Sequence, residues 1–300
     1  MKIKKKVYKK ILQVAVIAVI FFFLARNLYY NWGKLSGYEW HINWYLLIFS
    51  FILTIICSFL IALGWNLILR QLGGMLTPRK ALKIFFLSDL GRYIPGKVWS
   101  LAGKVYLCKE QGIPLVKSSA SVVVQPLIQV ISGGLVFLLS LAFWKNLPGV
   151  GNLLYLIFLI IPLGFILLHP LIIKKVLNLG LKIFKKDPVD LNLRYRDILK
   201  ILLLWCGLWV FSGIANYFLI ISIYPLPIAQ LPMIIGIFSI SWVVAFLSFL
   251  TPSGLGVMEG MLTFLLSFYL PCGIATLISL LSRIWRTIND LTCVGITIKF

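Results

Sequence analysis

The sequence predicts an all-α polytopic membrane protein, and three observations lead to this prediction. Of the 300 residues, 61% are hydrophobic and only 12% are charged, and the mean hydropathy is +1.00. Several apolar runs reach the length of about 20 residues that a helix needs to cross a bilayer. No stretch alternates apolar and polar residues as the strands of a membrane β-barrel do. We therefore expect a single integral membrane domain over residues 1–300, with about six full spans.

The first half of the chain, residues 1–147, combines three predicted spans with one interrupted segment. The predicted spans cover residues 11–28, 44–69 and 119–143. The run over residues 11–28 follows a lysine-rich start but lacks a small-residue cleavage site, so we interpret it as an uncleaved first span. The stretch over residues 81–105 is apolar but too charged for a clean crossing. Its breaks are predicted at Gly91, Pro95, Gly96 and Gly103.

The second half, residues 148–300, has the same plan. Its predicted spans cover residues 153–168, 201–223 and 275–298. A long basic connection over residues 174–200 separates the first two of these spans. The apolar stretch over residues 232–270 is interrupted at Pro252, Gly254 and Gly256. Each half is therefore expected to contain three crossings and one broken-helix hairpin that enters and leaves the membrane on the same side.

The two interrupted stretches resemble each other in sequence. Residues 86–97 read FLSDLGRYIPGK and residues 246–257 read FLSFLTPSGLGV, at an offset of 160 positions. The same offset places the second predicted span on the fifth and the third on the last. Interrupted hydrophobic segments at corresponding positions of two halves indicate the binding site in transporter folds. We therefore predict an internal repeat of residues 1–147 and 148–300, with a site where the two broken segments meet.

The net charge of +21 is explained by membrane topology rather than by a nucleic-acid partner. Cytoplasmic loops of membrane proteins carry an excess of Lys and Arg. Placing residues 70–83, 104–117 and 170–200 inside, with both termini, leaves few basic residues outside. We therefore expect a multi-pass protein of the cell membrane (inner or plasma membrane), with both termini cytoplasmic.

Three crossings per half is an odd number, so the second half is predicted to be inverted relative to the first. The first hairpin then enters the membrane from the cytoplasm and the second from outside, and their tips meet near the bilayer centre. In an alternative topology the two arms of each hairpin cross the membrane fully. The charge placement is compatible with both topologies, because an added pair of crossings leaves the later orientation unchanged.

Seven charged residues lie in apolar surroundings, where each costs about 2.5–3.5 kcal/mol on insertion scales. They are Asp89, Arg92, Lys97, Glu259, Arg283, Arg286 and Asp290. The last three are spaced by three and four positions, which places them on one face of a helix. One interpretation is a structural network of ion pairs: Asp89 with Arg92, Glu259 with Arg283, and Asp290 with Arg286.

The other interpretation is a binding site for an anion. Restarting helices offer free N–H groups and a positive dipole end to a phosphate. The predicted substrate-binding residues are Arg92, Lys97, Glu259, Arg283, Arg286 and Asp290. The residues predicted to shape the broken helices are Pro95, Gly96, Pro252, Gly254 and Gly256.

The sequence contains no motif of a known catalytic site, so we do not expect an enzyme. It has no nucleophile elbow and no Walker loop. The five cysteines show no CxxC spacing, and the two histidines, His41 and His169, lie far apart. We therefore predict no metal site and no cofactor.

Two of the stretches resemble a known family. Residues 92–97 (RYIPGK) and 251–260 (TPSGLGVMEG), together with Arg283, are similar to the signatures of the lysylphosphatidylglycerol synthase transmembrane-region family. The resemblance covers nearly the whole chain and implies a polytopic inner-membrane fold. In the multiple peptide resistance factor, the similar flippase-like domain moves aminoacylated phosphatidylglycerol between leaflets. Those proteins also carry a soluble aminoacyl-transferase domain, which we do not expect here.

The residues and the resemblance together predict a flippase-like membrane lipid translocase. Its cargo would be an anionic or aminoacylated phospholipid that moves between leaflets. The alternative is a non-transporting module that binds polyprenyl-phosphate or phospholipid and presents it to a partner, a lipid-modifying or glycosyl transferase. Both functions imply an anionic membrane lipid as ligand, and the sequence leaves self-association open.

Overall fold

The computed structural model describes residues 41–93, 99–144, 195–248 and 254–299, and this described part is helical throughout. It also describes the isolated positions Phe22, Arg26, Tyr29, Leu171, Ile172, Lys174, Lys175 and Asn178. The helices are α1 (Trp44–Gln71), α2 (Pro78–Asp89), α3 (Trp99–Glu110), α4 (Leu115–Ser140), α5 (Tyr195–Ile221), α6 (Leu231–Leu247), α7 (Val257–Leu266) and α8 (Cys272–Thr297). The prediction of an all-α protein is confirmed.

Four helical segments are long and apolar enough to cross a membrane. They are Trp44–Gln71, Leu115–Phe143, Tyr195–Ile221 and Ile228–Leu247. The first three correspond to the predicted spans at residues 44–69, 119–143 and 201–223. The predicted spans at residues 11–28 and 153–168 lie outside the described residues. The chain is therefore a multi-pass membrane protein.

Helix α8 corresponds to the last predicted span, and it differs from the other long helices in charge. Its 26 residues extend over about 39 Å at 1.5 Å per residue, which is enough to cross a bilayer. It carries Arg283, Arg286 and Asp290 in its central part. This long helix therefore combines the length of a span with three charges that need partners inside the bundle.

Local signals in the sequence fix where several helices begin. The side chain of Asn43 caps α1 by accepting a hydrogen bond from the N–H of Leu46 at 3.2 Å. Helices α4 and α8 each follow a proline, at Pro114 and Pro271, and α2 starts on Pro78. A proline fits the first turn of a helix because the N–H that it lacks would have no partner there. These prolines therefore begin helices rather than break them.

The order of elements in the second half repeats that of the first. A long helix, a pair of shorter helices and another long helix follow one another as α1, α2–α3 and α4, and again as α5, α6–α7 and α8. The two members of each pair pack against each other. Residues 94–98 and 249–253, which connect the members, lie outside the described residues. The internal repeat and its orientation in the membrane both stay predictions.

The two pairs differ in length. Helix α2 has 12 residues and continues into a 3₁₀ turn of 4 residues, Leu90–Tyr93; together they extend over about 26 Å, less than the roughly 30 Å of the hydrocarbon core. Its counterpart α6, with the short 3₁₀ turn before it, forms a helical segment of 20 residues that is long enough to cross. By length, a full crossing suits the first arm of the second pair better than that of the first, and both topologies stay predictions.

Helix α8 takes part in both of the larger apolar cores that flank the charged residues. Its first turns, with Ile274 and Ile278, are buried in a core shared with α4, α5, α6 and α7. Near its other end, Cys293 is buried with Trp65 and Phe86 in a core built by α1, α2 and α3. The three charges of α8 lie between these two apolar ends.

Close backbone approach holds the centre of the bundle together, and this makes a testable prediction. A Cβ atom at Gly213 of α5 would lie 2.7 Å from the Cα of Ile235 in α6, whereas one at Gly207 meets nothing within 4 Å. We expect Gly213→Ala to lower the free energy of unfolding by about 1–3 kcal/mol, since two backbones must separate. Gly207→Ala in the same helix is the control and should not destabilise the protein. Thermal unfolding in detergent measures both, and equal effects would contradict the prediction.

Candidate functional site

The first broken pair is joined by a buried group of charges. Asp89, at the end of α2, forms an ion pair with Arg92 in the following 3₁₀ turn. Its other carboxylate oxygen lies 3.6 Å from the Nζ of Lys104 in α3. Lys104 is only 4% exposed, and its Nζ also lies 3.9 Å from the centroid of the Phe85 ring. Asp89 therefore links the two arms of the pair through Lys104 and holds the turn after α2 through Arg92.

Two predictions about this segment are wrong. Lys104 was expected in a cytoplasmic loop, but it lies inside α3 with its charge neutralised by Asp89 and an aromatic ring. Gly103 was expected to break the segment, but α3 continues through it. A Cβ there would lie 3.6 Å from the Cβ of Ser88, an ordinary van der Waals contact, so Gly103 lies where α3 packs against α2. Gly91 fits the expected turn, since a Cβ there would lie 2.7 Å from the backbone N of Ser100.

The 3₁₀ turn of the first pair is also bonded to α8. The Nη1 of Arg92 lies 3.4 Å from Oδ2 of Asp290, and the hydroxyl of Tyr93 donates a hydrogen bond of 2.9 Å to the same oxygen. These two residues are the first two of the RYIPGK motif at residues 92–97. Asp290 therefore ties the beginning of that motif to α8.

The second broken pair is bonded to α8 two turns earlier. Glu259, in the first turn of α7, is 1% exposed. Its Oε2 accepts a hydrogen bond of 2.7 Å from the N–H of Gly256, a residue in the left-handed region with φ of 81°. Its Oε1 lies 3.5 Å from the Nε of Arg283. Gly256 and Gly254 (φ of 67°) adopt conformations that favour glycine, and they set the start of α7 beside α8.

Arg286 lies on α8 between these two connections. Its Nη1 is 4.0 Å from the sulfur of Met258, the residue before Glu259. Within the described part of the chain, no carboxylate oxygen lies within ion-pair distance of its guanidinium group. The seven buried or half-buried charges of the described site comprise four cations (Arg92, Lys104, Arg283, Arg286) and three carboxylates (Asp89, Glu259, Asp290). The positive surplus is therefore centred on Arg286.

The structure brings five of the six predicted substrate-binding residues together along one face of α8. Glu259 contacts Arg283, Arg92 contacts Asp290, and Arg286 lies between them. Gly254 and Gly256 lie at the start of α7. The predicted residues Lys97, Pro95, Gly96 and Pro252 lie outside the described residues.

The ion pairs agree only partly with the expected network. The pairs Asp89–Arg92 and Glu259–Arg283 are present. The expected pair of Asp290 with Arg286 is wrong, because Asp290 contacts Arg92 and Tyr93 of the first half instead. Sequence reasoning missed Lys104 and Tyr93. A lone lysine within the otherwise apolar residues 99–108 was the available signal for Lys104.

Long apolar helices, two broken pairs and the charges that join them to α8 define a multi-pass membrane protein with an ionisable site inside its helix bundle. The family pattern described as lysylphosphatidylglycerol synthase TM region matches residues 10–290. The chain belongs to this family, and the resemblance stated from its two motifs is confirmed. No curated protein matches the chain. Membership relates the protein to the handling of membrane lipids.

Proposed function

We propose that this protein is a lipid translocase that moves an anionic or aminoacylated phospholipid between the leaflets of the cell membrane. The observation that carries the proposal is Arg286, a cation within the bundle that has no carboxylate partner in the described part of the chain. An unpaired charge at membrane depth is costly and marks a site of function. A phosphate group of a lipid headgroup supplies the missing negative charge.

The surroundings of Arg286 support a phosphate ligand. Arg283 lies one turn away on the same face of α8, and its side chain is 15% exposed. The N-terminus of α7 lies beside them and contributes the positive end of a helix dipole. In the proposed complex the phosphate contacts both arginines and displaces Glu259 from Arg283. Lys97 of the first motif is proposed as a further contact.

The proposed movement uses the repeat. Each broken pair is bonded to α8 by one ion pair, Arg92–Asp290 for the first half and Arg283–Glu259 for the second. Such pairs can open separately, since Arg283 and Asp290 are seven positions apart on α8, which is about two helical turns. We propose that the halves are inverted in the membrane, with both termini cytoplasmic, and that rocking one half against the other exposes the site to each side in turn.

The proposal predicts a large effect of Arg286→Ala on lipid movement. A hydrogen bond to a charged group contributes about 1.5–3 kcal/mol, so we expect the rate of flipping to fall about tenfold or more. The measurement is a leaflet-resolved quenching assay with fluorescent phosphatidylglycerol in phosphatidylcholine vesicles that contain the purified protein. Arg79→Ala removes an exposed arginine from the first turn of α2 and should leave the rate unchanged.

Two outcomes would contradict this proposal. A wild-type rate of flipping in Arg286→Ala would show that Arg286 does not bind the lipid. Flipping by the wild-type protein no faster than in protein-free vesicles would refute translocation. Saturable lipid binding without flipping would support the alternative, a module that presents lipid to a partner transferase.

A further inference from the structure

Glu259 is held in an unusual way for a carboxylate inside a membrane protein. It is almost fully buried, and one oxygen accepts the N–H of Gly256 at 2.7 Å. The other oxygen, Oε1, accepts no hydrogen bond in the described part of the chain. The Nε of Arg283 lies 3.5 Å from it, close enough for charge attraction. Most of the compensation for the charge of Glu259 therefore comes from a single arginine.

The elements packed around Glu259 offer little else that could replace Arg283. Helix α7 packs against α6 and α8. Helix α6 contains no titratable residue, and Glu259 is the sole titratable residue of α7. Helix α8 contributes Arg283, Arg286 and Asp290, with Cys272 and Cys293 near its ends. Asp290 is engaged by Arg92 and Tyr93. Among the described residues of α6, α7 and α8, Arg286 is therefore the remaining cation near Glu259, and it is the proposed anchor for the phosphate.

Binding of an anion to Arg283 and Arg286 changes the electrostatic environment of Glu259. The phosphate forms an ion pair with Arg283, and the carboxylate of Glu259 then keeps only the backbone N–H of Gly256 and the helix dipole of α7 as stabilising partners among the described residues. A buried carboxylate without a paired cation is strongly destabilised, and such a group takes up a proton instead of remaining charged. Anion binding and protonation of Glu259 are then linked, so each favours the other.

From this geometry we infer that Glu259 exchanges Arg283 for a proton whenever an anionic headgroup binds, which makes it the proton site of a coupled transport cycle. This inference rests on the proposed function. On binding, the phosphate pairs with Arg283, and one proton from water bonds to a carboxylate oxygen of Glu259. On release, the proton returns to water and Glu259 pairs with Arg283 again. A monoanionic lipid thus moves together with one proton, and the transported complex carries no net charge.

The test is the number of protons taken up on lipid binding. The full chain in detergent is titrated with dihexanoyl phosphatidylglycerol by calorimetry, in buffers that differ in ionisation enthalpy. The wild-type protein should take up close to one proton per bound lipid. Its affinity should rise as the pH falls, by up to about tenfold per pH unit for one linked proton.

Two variants separate Glu259 from other groups. Glu259→Gln keeps an oxygen that can accept the N–H of Gly256, and it should bind the lipid without proton uptake and with an affinity independent of pH. Asp197→Asn, at a partly exposed carboxylate near the start of α5, should behave as the wild type. Lipid binding by the wild type without proton uptake would overturn the inference, as would proton uptake that persists in Glu259→Gln. If Glu259→Gln does not fold, the number of protons that the wild-type protein takes up per bound lipid decides the inference.

The results also separate this inference from the proposed function. Linked proton uptake without flipping in vesicles refutes translocation and leaves the exchange at Glu259 in place. Flipping by the wild type with no proton uptake on binding supports translocation and overturns the exchange. An absence of any lipid binding overturns both.

Discussion

Replacing Arg283 by alanine is expected to lower the free energy of unfolding by about 3–5 kcal/mol, because it removes one partner of a buried ion pair. Glu259 is 1% exposed and then retains only the N–H of Gly256. Unfolding of the purified protein in mixed detergent micelles gives the difference in free energy.

The matched control for Arg283→Ala is the double variant Arg283→Ala with Glu259→Gln. It removes both charges, so its free energy of unfolding should lie closer to that of the wild type than that of the single variant. A loss below about 1 kcal/mol in the single variant, a value typical of surface pairs, would show that Glu259 does not depend on Arg283.

Asp89→Asn is expected to have an effect of similar size in the first half of the chain. Lys104 is 4% exposed and Asp89 is the carboxylate within ion-pair distance of it in the described part of the chain. Without that carboxylate the buried ammonium keeps only the attraction of the Phe85 and Trp65 rings. We expect a loss of about 3–5 kcal/mol in the free energy of unfolding, measured as for Arg283.

Two comparisons test the origin of this loss. Asp197→Asn breaks the pair in which the Nζ of Lys200 lies 4.0 Å from Oδ1 of Asp197, and the Lys200 side chain is 67% exposed. This substitution should lower the free energy of unfolding by no more than about 1 kcal/mol. The double variant Asp89→Asn with Lys104→Met should recover part of the stability, because methionine fills a similar volume without a charge. An equal loss in the single and double variants would assign the effect to the lost Asp89–Arg92 pair rather than to Lys104.

Much of the fold could be predicted because the membrane imposes a simple rule. A helix must satisfy its own backbone and present about 20 apolar residues to the lipid. The predicted spans at residues 44–69 and 119–143 therefore lie close to α1 and α4. The spacing of Arg283, Arg286 and Asp290 likewise predicted their common face on α8.

The rest depended on contacts between residues that are distant in sequence. The rule that assigns basic residues to cytoplasmic loops misplaced Lys104, because the rule does not consider that Asp89 can neutralise a lysine inside the bundle. Asp290 was assigned to Arg286, its neighbour one turn away on the same helix. In the folded protein it contacts Arg92, which is 198 positions away. A local sequence pattern does not show that Arg92 can replace Arg286 as the partner of Asp290.

The position of α8 between the two apolar cores has a consequence for how the chain enters the membrane. The core built by α1, α2 and α3 lacks Cys293, and Arg92 lacks Asp290, until α8 has been synthesised. During that interval Asp89 can already pair with Arg92 and Lys104, since all three belong to the same short stretch. The nascent first half thus provides one carboxylate for its two cations, and α8 supplies the second, Asp290, when it joins the bundle.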